Sequence, residues 1–224
     1  MKALIFDSGT LINLSMNGLL YILEELKRNF NGKFLITQSV KNEVVDRPKN
    51  IQRFELGALN IENLLTKKII EMPESLEIDL KIIEQRTNEL LIKANHFIQV
   101  KNQWVRIVSD AEMSCLALSS ELSEKDIENI IAIDERTTRI LCEDPKALER
   151  QMSEKLHQRV SILSEDKNYF SKYKFIRSSE LVFVAYKKEI INLKGKRVLE
   201  ALLYATKFKG AAISFEEIEQ IKKL

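Results

Sequence analysis

The sequence predicts an α/β fold: a mostly parallel sheet covered on both faces by helices. Three observations carry this prediction. Short apolar runs read as buried strands, namely Lys2–Phe6 (KALIF), Phe34–Ile36 and Ile130–Ile133 (IIAI). Longer stretches between them place apolar residues at helical spacing. Strands that alternate with helices build a parallel sheet, because each crossover returns the chain through a helix packed on one face.

Taken in order, Asp7-Ser8-Gly9-Thr10 ends the first strand and turns the chain into a helix. Asn17 to Arg28 is expected to be helical, with Leu19, Ile22, Leu23 and Leu26 on one side. Gly32 breaks the chain before the second strand. Thr37 or Ser39 is placed to cap the next helix, which runs through Val40, Val44 and Val45 and is limited by Pro48. Phe54–Lys67 predicts a helix, Lys68–Met72 (KIIEM) a third strand, and a long helix follows Pro73 to about Phe97. Ser109 with Glu112 three positions on is a capping-box signature, opening a helix with Met113, Leu116, Ala117 and Ser120 along one side. Asp134-Glu135-Arg136 ends the IIAI strand, and Thr137–Cys142 starts another helix. The mixed-charge stretch from Pro145 to about Tyr173 reads as a helical elaboration. Lys174–Ile176 is the last expected strand, with Ser178 or Ser179 capping a helix through Val184 and Tyr186. Helices near Lys196–Phe208 and Phe215–Leu224 close the chain around Gly210.

Composition narrows the function. Of 224 residues, 45% are hydrophobic and 30% charged, enough for a sizeable core under a polar surface. The net charge of +2 rules out a uniformly basic surface, but a local basic face remains open. Cys115 and Cys142 belong to no C-x-x-C pair, and His96 and His157 are isolated, which argues against a zinc ribbon or disulfide framework. Both thiols are expected buried and reduced. No signal-peptide pattern and no apolar run of roughly 20 residues occurs, so the expectation is a cytoplasmic protein with no membrane partner.

The acids at element ends carry the chemistry. Asp7 and Asp134 each directly follow an apolar strand, and ligands of open α/β sheets bind outside the carboxyl ends of strands. Glu112 and Asp110 open a helix, and Glu43 lies on the helix after the second strand. Magnesium takes oxygen ligands and keeps several waters, and one or two such ions, about 3.5–4 Å apart when paired, activate water and steady a leaving oxygen in phosphodiester cleavage. Each acid also has an ordinary explanation. Asp7 and Asp134 suit helix caps, Glu112 completes a box with Ser109, Glu43 suits a solvated surface, and Asp110 and Glu135 favour helix N-termini.

With those residues in hand, the chain resembles the PIN-domain family. ALIFDSGTLINL looks like the family's opening strand, Asp and small hydroxyl residues. SVKNEVVDRP puts Glu43 at its second acidic position. VSDAEMSCLALSSEL is similar to its third motif, and IIAIDERTTRIL to its fourth. FIRSSELVFVAYKKEIINLKGKRVLEALLYATKFKGAAIS is similar to the C-terminal tail of many archaeal and bacterial members. The resemblance spans the chain as one domain, 1–224, with 144–173 as a helical insertion and 195–224 as a C-terminal helical extension. It implies a three-layer α/β/α fold with four or five mostly parallel strands, and RNA cleavage with Mg²⁺ or Mn²⁺. By position, Asp7, Glu43, Glu112 and Asp134 would be catalytic and metal-binding, with Asp110 an alternative to Glu112 at the third site. Ser8 and Thr10 would orient Asp7. Arg177-Ser178-Ser179 stands where many members carry Gly-Thr.

RNA phosphates need cations around such acids. Arg136 and Arg139 past Asp134, and Arg47 with Lys41, Lys49 and Arg53 near Glu43, are candidates, as are Lys146, Arg150, Lys155 and Arg159 in the insertion. Glu135 with Arg139 also suits an ordinary helical pair. Trp104 is expected to pack on the core, with base stacking as the alternative. A haloacid-dehalogenase-like phosphatase would need an Asp where Gly9 stands, and no P-loop occurs. The rival functions are a non-catalytic PIN-like module that docks on RNA, ribosome or protein, and a toxin held by an antitoxin-like partner. A homodimer through apolar helices near the C-terminus is a further expectation.

Overall fold

The computed structural model describes residues 1–162 and 169–224. At the centre of the sheet is β1 (Lys2–Phe6), paired in parallel with β2 (Gly32–Leu35) on one side and β5 (Glu128–Ala132) on the other. β7 (Phe175–Ile176) joins β5, completing a four-stranded parallel sheet in the order β2-β1-β5-β7. Ala3 to Phe6 are buried in unbroken succession, which requires cover on both faces.

That cover follows the alternation of the strands. Leu4, Ile130 and Ile176 share one face, where Leu26 of α2 (Tyr21–Arg28) and Leu181 and Val184 of α9 (Ser178–Lys187) close around a cavity of about 270 Å³. Residue Asn129 faces the other way and meets Ser119 of α6 (Asp110–Glu124) at 2.6 Å. α5 (Leu80–Asn95) packs along α6. Phe6 and Phe34 meet edge to face with centroids 5.4 Å apart, and truncating either to Ala would cost about 3–5 kcal/mol. Cys115 and Cys142 are free, buried thiols.

Several boundaries differ from the pattern reading. α1 spans Ser8–Met16, capped by Asp7, and the expected Asn17–Arg28 helix is interrupted by a turn at Gly18, whose φ of 67° stops α1 before α2 starts at Tyr21. Thr37 caps α3 (Gln38–Lys41), which widens into one π-type turn over Asn42–Asp46. α4 covers Gln52–Thr66. Lys68–Met72 is not a strand: Lys68 is left-handed (φ 55°), and only Glu71 bridges to the sheet, its N–H meeting the Phe34 carbonyl at 2.8 Å. The helix expected straight after Pro73 is a short turn over Pro73–Leu76 ended by left-handed Glu77, and Asp79 then caps α5.

The stretch expected as a helical insertion, 144–173, is helical only over Pro145–Leu156 among its described residues. α7 (Arg136–Glu143) is followed by α8 (Pro145–Leu156), and the chain then enters β6 (Ser161–Ile162). β6 completes a small antiparallel sheet with β3 (Ile98–Val100) and β4 (Gln103–Trp104), in the order β4-β3-β6. Two- and three-residue strands are too short to show an alternating pattern, so sequence periodicity misses them. Residues 163–168 of the expected insertion lie outside the described residues.

At the C-terminus, α10 (Val198–Phe208) and α11 (Phe215–Ile221) enclose a small core of Leu203, Ala211, Ile213 and Ile218. Among the described residues, no helix is long and apolar enough to cross a membrane.

Candidate functional site

Parallel pairing of β1 with β5 brings Asp7 and Asp134 to the same edge of the sheet. Phe6 is in register with Ala132, and the Asp7 N–H donates to the Ala132 carbonyl at 2.9 Å. A methyl group placed on Gly9 would stand 3.2 Å from Asp7 Oδ2 and 4.0 Å from Asp134 Cβ, so the two acids flank the first turn of α1. The 270 Å³ cavity lies at the opposite end, beside Lys2 and Glu128 where the strands begin.

Asp7 is both cap and something more. Its Oδ2 accepts the Gly9 N–H at 3.0 Å, closing the first turn of α1. Its Oδ1 is buried and has no hydrogen-bond partner. Burial, then the neighbouring charges of Glu112 and Glu43, push the Asp7 carboxyl from 3.8 up to about 7, against the opposing pull of the Gly9 and Ser8 backbone N–H groups. The hydroxyls expected to orient Asp7 do not do so. Thr10 Oγ1 is buried without a partner, and the hydrogen bond that Asp7 accepts comes instead from the Gly9 backbone.

Glu112 occupies the third position of α6 and accepts the Ser109 N–H, as the capping box requires. Burial raises its carboxyl, the bonds from Ser109 oppose the rise, and Glu135 and Glu43 add to it. Glu43 sits half-buried in the π-type turn after α3, a distortion of the kind that often re-aims a side chain at a working site. Asp110 stands apart. Its side chain is 63% exposed and paired with Arg106 at 3.1 Å. Residues 110 and 112 point to different sides of one helix, and only Glu112 enters the field of Asp7.

Asp134 is buried differently. Its Oδ1 accepts the Ser178 N–H at 2.8 Å, and its Oδ2 accepts Asn13 Nδ2 at 2.9 Å. Burial raises its carboxyl, while Ser178, Asn13 and the charge of Arg177 pull it down. Its backbone carbonyl takes the Ala212 N–H at 3.1 Å. Asp134 therefore does not cap α7; Glu135 does, with Oε2 on the Thr138 N–H at 2.7 Å. Ser178 and Ser179 do not cap α9 either. Arg177 holds the cap position, and Glu180 reaches back to the Arg177 N–H at 2.7 Å.

No family model, curated protein or solved structure matches this chain. The chemistry of the acidic edge is what bears on its function. The charges of Glu112 and Glu43 act on Asp7, and those of Glu135 and Glu43 act on Glu112. Even so, among the described residues no three Asp, Glu, His or Cys side chains are set as a ready metal cage. Glu112 and Glu135 turn an oxygen onto their helix caps and Asp134 uses both, so the acids share a field without closing on a common point. Unpartnered buried hydroxyls of Thr10 and Thr138 lie in α1 and α7, the helices that Asp7 and Glu135 cap, and those of Ser178 and Ser179 open α9, whose first N–H bonds Asp134.

The flanking cations are mostly engaged locally. Arg139 pairs with Glu143 at 3.1 Å rather than with Glu135. Lys41 pairs with Asp46 and Lys49 with Glu62, while Arg53 lies over the Phe54 ring. Arg136 and Arg47 present exposed guanidinium groups, and Lys146, Arg150, Lys155 and Arg159 are exposed on and after α8. Sequence reading passed over Asn13, whose link to Asp134 depends on a contact between residues 121 positions apart.

Proposed function

We propose that this chain is a divalent-metal-dependent endoribonuclease of PIN-like architecture, hydrolysing RNA phosphodiester bonds at the Asp7 edge of the sheet. One observation carries the reading. The Asp7 carboxylate has one oxygen fixed by Gly9 and the other buried, unpartnered and in the field of Glu112 and Glu43. Such a group is costly as an anion unless a cation joins it.

Mg²⁺ or Mn²⁺ fits the donors, which are carboxylate and hydroxyl oxygens with no histidine among them. Asp7, Glu43 and Glu112 would hold the ion; bound there, it would polarise a phosphate oxygen and acidify a water. Gly9 pre-sets one oxygen of Asp7, and Ser109 pre-sets one of Glu112. Asp134, with both oxygens engaged by protein donors, enters this reading as a positioning residue for the turn into α9. Arg136 and Arg47 would meet the phosphates on either side.

A non-catalytic RNA-binding module is the second reading, consistent with the absence of a preformed cage among the described residues. Incubating the full chain with labelled single-stranded RNA, with Mg²⁺, Mn²⁺ or chelator, separates the two. The nuclease reading expects metal-dependent cleavage that chelator abolishes and that Asp7→Asn slows by at least about 100-fold, the rate equivalent of roughly 3 kcal/mol. Cleavage that Asp7→Asn leaves untouched overturns the site. RNA binding without cleavage under any metal establishes the module.

A further inference from the structure

Trp104 does not pack into the core, as the sequence suggested; it is 45% exposed on β4. In the small sheet, Gln99 is directly opposite both Trp104 and Ser161, so these three side chains share one face. Ile98, on the alternate face, is fully buried. One side of this sheet therefore lies on the core, and the side bearing the indole faces solvent.

The indole is held in place. Its ring packs against the His96 ring with centroids 5.0 Å apart and planes inclined by 59°, and His96 Nδ1 is itself fixed 2.7 Å from the Ile92 carbonyl. Lys101 (φ 49°) and Asn102 (φ 62°) form a two-residue left-handed turn, the tight geometry that keeps hairpin strands in register. Lys101 at the tip and Arg159 two residues before Ser161 put exposed cations around the platform, and Arg106, paired with Asp110, lies just past β4. Trp104 is five residues from Ser109, within about 18 Å along an extended chain of the N–H that holds Glu112.

We infer that this sheet face is a stacking platform for bases of single-stranded RNA, with Trp104 as its aromatic surface and the flanking cations taking the phosphates. The inference rests on the nuclease reading of the acidic edge, and it adds a substrate-holding site outside that edge. A propped, solvent-facing indole suits a base plane, and each stacked base is worth about 1–3 kcal/mol. Duplex RNA keeps its bases stacked on one another and offers the indole none.

Trp104 is the chain's single tryptophan, so fluorescence excited to the red of tyrosine absorption reports on this platform alone. In chelator, a short mixed-sequence single-stranded RNA should quench it saturably, and the same RNA annealed to its complement should not. Trp104→Ala should weaken single-strand binding by about 5- to 100-fold, and Trp104→Phe should restore most of it. With metal, Trp104→Ala should raise KM more than it lowers kcat. Absent quenching, equal quenching by duplex, or a Trp104→Phe protein that binds no better than the Ala variant overturns the platform. Because binding is read without metal, loss of the platform leaves the cleavage result standing. Conversely, quenching without any cleavage keeps the platform and removes the nuclease.

Discussion

The side-chain amide of Asn13 joins two distant parts of the chain: Nδ2 donates to Asp134 Oδ2 and to the Thr206 carbonyl, each at 2.9 Å, in a fully enclosed setting. Asn13 Oδ1 in turn accepts from Asn17 at 2.8 Å. Asn13→Ala would strip a donor from a buried carboxylate and from a buried carbonyl. A loss of about 2–4 kcal/mol is expected, read as a lower urea midpoint at constant m. An unchanged midpoint would show that Asp134 finds another partner.

Asp7 should make the divalent-free protein less stable as pH rises. Unfolded, its carboxyl titrates near 3.8; folded, burial beside Glu112 and Glu43 lifts it to about 7. Between those values the unfolded chain has released a proton that the folded chain keeps, so each rise in pH favours unfolding, and the penalty is complete above about 7. Asp7→Asn has no proton to lose. In chelator at pH 8 it should be more stable than the parent by on the order of 2–4 kcal/mol, with the gap closing towards pH 4. Paired melting curves across that range check it, and a constant gap would assign the difference to something other than this titration.

Arg177 is expected to anchor the C-terminal extension. It is buried, it bonds Glu180 at 2.6 Å and Glu217 at 2.8 Å, and its Nη1 donates to the Ala212 carbonyl at 2.9 Å. Arg177→Ala leaves two acids and a carbonyl facing one another, for a cost of about 2–4 kcal/mol after allowing for the partial exposure of Glu217. Amide exchange in α11 should accelerate well beyond that in β1 and β5. Uniform acceleration would mean that the extension and sheet open as one unit.

Much of this edge could be read from residue order. Asp7 and Asp134 follow apolar runs, and a parallel sheet delivers such strand ends to one side. The choice between Asp110 and Glu112 could not be made that way, because helical spacing separates the two faces without saying which meets the sheet. The box with Ser109 turns Glu112 inward, and Arg106 draws Asp110 out. Lys68–Met72 looked like a strand because KIIEM is apolar, yet left-handed Lys68 and the turn after it leave one bridge. The hairpin under Trp104 depends on pairing with Ser161 and Ile162, more than fifty residues on, which no local window contains.

The amide of Asn13 and the carbonyl of Thr206 are separated by 193 positions. At about 5–20 residues per second of synthesis, roughly 10–40 s pass between the appearance of the first and that of the second. Through that interval the ribosome-borne chain carries Asp7 and the first two helices without the segment that locks Asp134. The setting of Asp134 is thus completed only once the segment around Thr206 has been synthesised, long after the strand and helix that carry Asp7 and Asn13.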